Sequence, residues 1–580
     1  MIRVSGIDLS GVAGPSRRAT IFGWRAVGRP AVLLGLLIGT AASVWVACTP
    51  TPRTVALPTG EGSTPGPVDA EPSTTSPSVQ GGVQGPDEPY RQWSKVELTF
   101  AGSSMQGLNP TSNPFLIDVT VTFTGPDGSA FEIPAFYDGD GAGGMDGNIW
   151  RARFSPPLAG PWSYTTHSDE PSLDEQQGSF EVEEPASCPD YFAGGLPTFA
   201  CVGRLLPVAG PYLRFEAGLY WLKGGIDDPE DFLAAGQTAG FESKIAAVDY
   251  LASVGVNSVY IMLMNIGGDG RNVWPWHGQD ERQAMQHTEH FDIAKLAEWE
   301  LLFDHIQAKG IVLHLVLEDD SGWTQFDRSL YYREIVARFA HHSAIVWNLS
   351  EEFNENYSPA EVGDFADQLR ALDAYHHPVT VHHAGGLRAW QPFVGDTRFD
   401  LTSLQTGRHP SNADAVGWYR MLAESRHPIA LSFDETGKIG SNDRALSRHI
   451  VWSIYMGGGN FEIHTSPLRD YRDFGLHLQD LARARAIIEQ HPFWEMRPHN
   501  ELIVRGEGYV LAKPGEVYLV YLPKGGALDL DLSTSSASFS ALWIDPATGE
   551  RQVISAEDRA FSQWTAPFEA DAVLVVTRLP

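Results

Sequence analysis

Cysteine is nearly absent: 580 residues hold only three, Cys48, Cys188 and Cys201. Three scattered thiols make no tetrahedral ligand set and no HExxH stretch occurs, so no metal site is expected. Basic residues are scarce as well, with 41 Lys and Arg against 72 Asp and Glu, a formal charge of -31. A surface of that sign repels a phosphodiester backbone, which removes nucleic acid from the candidate partners. The Gly-rich phosphate turn of a doubly wound nucleotide-binding sheet is also missing, and no organic cofactor is implied. Tryptophan, by contrast, is plentiful at 17 residues, within an aromatic fraction of 11%. Packed cores follow from that, and the length exceeds what a single core covers.

Only one long apolar run exists. After Arg17, Arg18, Arg25 and Arg29 comes "AVLLGLLIGTAASVWVAC", ending at Cys48. The basic flank, apolar middle and small-residue end are those of an export signal over residues 1–48. The terminal "WVAC" resembles a bacterial lipoprotein signal, which implies lipidation of Cys48 and a membrane anchor at the cell envelope. An uncleaved membrane anchor is the rival reading. Residues 49–88, rich in Pro, Gly, Ser and Thr, cannot bury enough apolar surface to offset their ordering entropy, and read as a tether. In an oxidising compartment Cys188 and Cys201 are expected to pair as a structural disulfide.

The folded part divides by periodicity. Residues 89–185 contain short alternating runs such as "KVELTF", "FLIDVTVTFTG" and "GPWSYTTH", broken by Gly, Pro and Asp at the spacing of an antiparallel β-sandwich. Within them "YDGDGAGGMDGN" has the look of a calcium loop, but Ile149 stands where the twelfth-position Glu belongs, so a polar turn is expected. Residues 186–213 connect to a region, 214–495, where apolar runs alternate with helix-like segments: "FEAGLYWL", "VNSVYIMLM", "GIVLHLVLE", "SAIVWNL", "HPVTVHH", "FDLTSLQ", "HPIALSF" and "NFEIH". Strand followed by helix, eight times over, is the pattern of a (β/α)8 TIM barrel. Residues 496–580 return to alternation and predict a second antiparallel sandwich.

A barrel gathers its strand C-termini on one face, so polar residues at those ends converge although they are distant in sequence. The fourth run ends in "WNLSEE", with Glu351 and Glu352, and the seventh in "SFDE", with Asp434 and Glu435. Two carboxylates across a barrel mouth can cleave a glycosidic bond, one protonating the leaving oxygen and the other attacking the anomeric carbon or activating water. The alternative is that Glu351, Glu352 and Glu355 merely favour the positive start of a helix.

"WNLSEE" after strand four and "DE" after strand seven resemble the clan A glycoside hydrolases, retaining (β/α)8 enzymes. That resemblance implies Glu352 as acid/base and Glu435 as nucleophile, with Glu351 in the place where clan members carry an Asn that contacts the sugar 2-hydroxyl. A likeness over nearly the whole mature chain runs through "KVELTF", "NIWRARFSP", "LKGGIDDPEDFLA", "NIGGDGRNVWPW" and "YYREIVARFAHHSAIVWNLSEE". These stretches resemble bacterial proteins with a DUF5060 N-terminal sandwich, a glycoside hydrolase barrel and a C-terminal collagen-binding-like domain.

Further substrate-binding candidates come from the strand ends: Trp221 and Lys223 after the first, Asn265 after the second, His314 on the third, His383 after the fifth and Gln405 after the sixth. Trp274 and Trp276 in "VWPWHG" offer faces for sugar stacking. The expected function is hydrolysis of an extracellular poly- or oligosaccharide. A non-catalytic carbohydrate-binding or adhesive surface lipoprotein, its barrel degenerate, is the alternative.

Overall fold

The computed structural model describes residues 89–185, 187, 198–227, 231–268, 270, 272–465, 470–533, 537–554 and 563–579. The export signal, Cys48, the tether and Cys188 lie outside them.

Eight strands form one parallel sheet: β1 (Gly224–Asp227), β2 (Ser258–Met262), β3 (Val312–Val316), β4 (Ile345–Asn348), β5 (Val379–Thr380), β6 (Leu404–Gln405), β7 (Ser432–Glu435) and β8 (Asn460–His464). Their order is β5-β4-β3-β2-β1-β8-β7-β6. An isolated parallel bridge between His382 and Ser403 joins the segments flanking β5 and β6, the two strands at the ends of that order. Nearly all residues of these strands are buried, as expected of a parallel sheet whose connections are helices.

The first apolar run of the sequence is not β1. Its start, Phe215, belongs to a short antiparallel pair, Leu205–Leu206 with Arg214–Phe215, and the strand that enters the sheet is the glycine-rich "GGID" that follows. A Cβ at Gly225 would stand 2.7 Å from Glu462 Cγ, so glycine there makes room for a carboxylate inside the sheet. After β4 comes a single 3-10 turn, Phe353–Glu355, whose N-cap residue Glu352 makes no side-chain cap bond, and the α-helix starts only at Pro359. Ser358 and Glu361 cap it reciprocally, Ser358 accepting from the Glu361 N–H and Glu361 from the Ser358 N–H. Glu351, Glu352 and Glu355 all precede that cap, so they are not its first turn.

Sheets that are antiparallel, apart from the short edge pair of Tyr90–Arg91 with Gln177–Glu183, flank the parallel one. On the N-terminal side a five-stranded sheet contains Val119–Thr124 and Gly160–Ser168, and a three-stranded one pairs Val96–Gln106 with Asp146–Phe154. In the loop before the latter strand, the Asp140 carboxylate accepts from the N–H groups of Ala142 and Gly144, both at 2.8 Å, as a polar turn does. On the C-terminal side a six-stranded sheet is centred on Val517–Leu522 and Ala572–Arg578, beside a three-stranded one.

Both flanks are joined to the parallel sheet's helices by apolar contact and by buried charge. Arg153 of the N-terminal strands approaches Glu300 at 3.2 Å, and Lys95 reaches the same carboxylate at 2.8 Å. On the other flank Arg448 holds Asp571 through two bonds of 2.7 and 2.8 Å, and Tyr521 donates to the same aspartate at 3.1 Å. Among the described residues no helix is long and apolar enough to cross a membrane. Cys201 is disulfide-bonded.

Candidate active site

The carboxylate four residues past β4, Glu352, and the one that ends β7, Glu435, meet over Gln405, the last residue of β6. The Gln405 side-chain N–H group donates to Glu352 Oε1 at 2.5 Å and to Glu435 Oε2 at 2.7 Å. Laid end to end, those two bonds limit the separation of the carboxylate oxygens to 5.2 Å. The amide is fixed from both sides. Its oxygen accepts from Gly385 N at 2.6 Å, and its backbone N–H donates to His383 Nε2 at 3.0 Å. Glu352 itself has φ 35° and ψ 46°, a left-handed conformation that costs a residue with a side chain about 1–3 kcal/mol and is often found at functional sites.

The two glutamates have opposite electrostatics. Burial raises the Glu352 pKa and the neighbouring charges of Glu435 and Glu355 add to it, against the lowering pull of Gln405 and His382. Burial also favours a protonated Glu435, but the hydrogen bond and charge of His382, helped by His464 and Gln405, hold it down to about 2. His382 Nε2 lies 3.3 Å from Glu435 Oε2 and 3.5 Å from Glu351 Oε1, while His464 Nδ1 is 3.4 Å from Glu435 Oε1. Although burial alone lowers an imidazole, these carboxylates bring His382 up to about 9. The site therefore pairs a carboxylate whose protonated form is favoured by burial with one that its neighbours hold ionised, which is the division of labour an acid and a nucleophile need.

Glu351 takes a supporting position. It is buried, accepts from the Tyr260 hydroxyl and faces His382, so it holds the imidazolium in place. His383 is also fully buried and orients Gln405. Neither presents a free polar group at the surface.

One step earlier along the strands lies a second polar layer. Lys223 Nζ contacts Asp434 Oδ1 at 2.8 Å, Glu462 Oε2 at 2.9 Å and His314 Nδ1 at 3.2 Å, with all four side chains buried. Asn348 connects the layers, its amide N meeting His314 Nε2 at 3.2 Å and its oxygen accepting from the His382 N–H at 2.9 Å. Asp434, Glu462 and His314 could between them offer a metal three ligand atoms, but the Lys223 ammonium occupies the space they share.

Several expected sugar contacts are corrected by this placement. Lys223 and His314 lie inside the sheet with no exposed surface. Trp221 packs with Phe199, Phe215, Val312, Ala344, Leu401 and Ala430, residues at or before the strand starts, and so fills the end opposite the glutamates. Asn265 is fully buried, its backbone paired with Val273 and its amide oriented to bond both N–H and C=O of Gly270. Trp276 is enclosed by Trp323, Phe326 and Tyr331 at 5.5 to 5.6 Å. Trp274 lies under Lys295, 5.0 Å from its ring, and lines, with Lys244, Trp299 and Leu302, a cavity separate from the one next to the glutamates. Sequence cannot distinguish a tryptophan that packs a loop from one that faces a sugar.

Missed in the sequence were Tyr260 and His464; His382, beside His383 after the fifth run, is a pocket candidate from its strand-end position, but not as the partner of Glu435. The strand-end rule that singled out Glu435 applies equally to His464, the last residue of β8. A cavity of about 770 Å³ adjoins the pair of glutamates, lined by Gly385, Gly386, Leu387, Arg388, Gln405, Thr406, Gly407 and Arg408.

The fold is that of glycoside hydrolases. Residues 89–169 match the family model described as "Domain of unknown function (DUF5060)", and residues 498–577 match "Putative collagen-binding domain of a collagenase". A "putative glycoside hydrolase" from Bacteroides vulgatus ATCC 8482 superimposes with TM-score 0.65 at 16% identity, over 85% of this chain and 100% of its own. A glycoside hydrolase family 5 protein from the same organism gives TM-score 0.53 at 16% identity, over 65% of this chain and 94% of its own. No curated protein matches the chain.

Proposed function

We propose that this protein is a retaining glycoside hydrolase in which the eight parallel strands close into a (β/α)8 barrel between two antiparallel sandwiches. The observation that carries the reading is the shared Gln405 bridge, which keeps the Glu352 and Glu435 oxygens within 5.2 Å. Retaining enzymes place their carboxyl groups about 5–5.5 Å apart, whereas inverting ones leave about 6.5–9.5 Å for a water. Glu435, ionised, attacks the anomeric carbon. Glu352 gives its proton to the departing glycosidic oxygen, and the bond from the anomeric carbon to that oxygen breaks. Glu352, now a carboxylate, takes a proton from water, whose oxygen attacks the same carbon and frees Glu435. Imidazolium at His382 counters the Glu435 charge between turnovers.

Incubation with a 2-fluoro glycosyl trapping reagent, followed by peptide mass spectrometry, tests this reading. Attachment to Glu435 is the expected result. Attachment elsewhere, or glycan binding with no release of reducing sugar, favours the non-catalytic surface protein instead. We also propose export and lipid anchoring through Cys48. Fatty-acid labelling that persists in Cys48→Ser would overturn that part.

A further inference from the structure

The 770 Å³ cavity beside the two glutamates has an electrostatic character opposite to that of the chain. The chain carries 72 acidic and 41 basic residues, yet the charged side chains lining this cavity are Arg388 and Arg408, with no carboxylate among the lining residues. Arg408 is partly neutralised by Asp414, 2.7 Å from its guanidinium. Arg388 is exposed and is in no ion pair among the described residues.

The floor of the cavity is bare. At Gly385, Gly386 and Gly407 a Cβ would meet nothing within 4 Å, so the backbone lies open to a ring. Gln405 belongs both to this lining and to the bridge between Glu352 and Glu435. A sugar ring seated in the cavity therefore neighbours the bond to be cleaved. Global repulsion does not forbid an anionic ring there, because charges beyond about 8–10 Å are largely screened at physiological ionic strength while a guanidinium acts at contact. The planar fork of an arginine also matches carboxylate and sulfate oxygens, which a lysine does less well.

We propose that this cavity is a subsite for a sugar residue bearing an anionic group, a carboxylate or a sulfate, with Arg388 as its principal contact and Arg408 at its edge. The proposal rests on the glycoside hydrolase reading for the identity of the ligand as a glycan. It makes the protein selective for an acidic position next to the scissile bond, in spite of its own acidic surface.

Calorimetric binding to the full chain carrying Glu435→Gln tests the subsite without turnover. The probes are a hexuronic acid oligosaccharide, its methyl ester, a sulfated oligosaccharide and its unsulfated parent. At least one charged probe should bind about tenfold more tightly than its neutral counterpart. Adding Arg388→Gln should remove about five- to tenfold of that preference, and Arg388→Lys should restore part of it. The preferred pair, uronate or sulfate, identifies the anion. Equal affinities within both pairs, or a preference that survives Arg388→Gln, would overturn the subsite. Reducing-sugar release by the wild-type protein is read separately: charge-selective binding without cleavage sinks the hydrolase reading alone, and cleavage without charge selectivity sinks the subsite alone.

Discussion

Lys223 and Asp434 form an ion pair of 2.8 Å in which neither side chain has any exposed surface, one level below the residues that face the cavity. Asp434 and Glu435 are adjacent in sequence, yet one is committed to the interior and the other is turned to the mouth. The buried charge fixes β7 in register and thereby fixes where Glu435 points.

Lys223→Met leaves Asp434 and Glu462 buried without their counter-charge. Breaking such a pair costs about 3–5 kcal/mol. Chemical denaturation should show a loss of that size, and a variant within about 1 kcal/mol of wild type would show that the layer is not a structural charge network.

Gln405→Leu removes a donor that favours the ionised form of both glutamates. Both pKa values rise. The acidic limb of kcat/KM against pH, set by Glu435, and the alkaline limb, set by Glu352, should both move to higher pH, and a profile displaced downward would contradict the bridge.

Glu352→Ala and Glu435→Ala should differ according to the leaving group. A nitrophenolate needs no proton to depart, so Glu352→Ala should retain much of the first, glycosylation step on a nitrophenyl glycoside while losing about 10²–10⁴-fold on a natural linkage. Glu435→Ala should lose both. Stopped-flow release of nitrophenolate separates the two cases.

His382→Phe tests the pH linkage of the site. The folded-state pKa of His382 lies above its ordinary 6.5, at about 9, so its contribution to stability is complete below 6.5 and is lost as pH rises through 9. The Tm difference between wild type and variant should therefore shrink across that interval. A difference that grows instead would contradict the imidazolium assignment.

Trp221→Ala should lower stability by about 3–5 kcal/mol, the usual cost of emptying a large aromatic site. Its KM for any glycan should stay within twofold, since the ring packs at the far end of the strands from the glutamates.

What was legible in the sequence was the part written locally. Apolar runs marked most of the strands, and "SEE" and "SFDE" marked the two glutamates, because a charge at the end of a buried strand is costly unless a partner or a substrate uses it. Strand β1 was misplaced because two of its four residues are glycines, which carry no hydropathy signal, and they are needed there to admit Glu462. Lys223 looked like a strand-end residue for the same reason. Its partners Asp434 and Glu462 are more than 200 residues away, and nothing local to "LKGG" announces them. The tryptophan assignments failed on a different ground: ring burial depends on neighbours such as Trp323 and Phe326, which the loop sequence does not specify.

The two-pronged contact from Arg448 to Asp571 has a practical corollary for module exchange. A chimera that grafts the C-terminal sheets of another protein onto this parallel sheet and its helices would leave Arg448 with Asp480 alone, 3.1 Å away, unless the graft brings an acid to the position of Asp571. Interchangeability among proteins of this layout is thus restricted by a single matched pair, and a simple test of compatibility is whether both halves of that pair travel together.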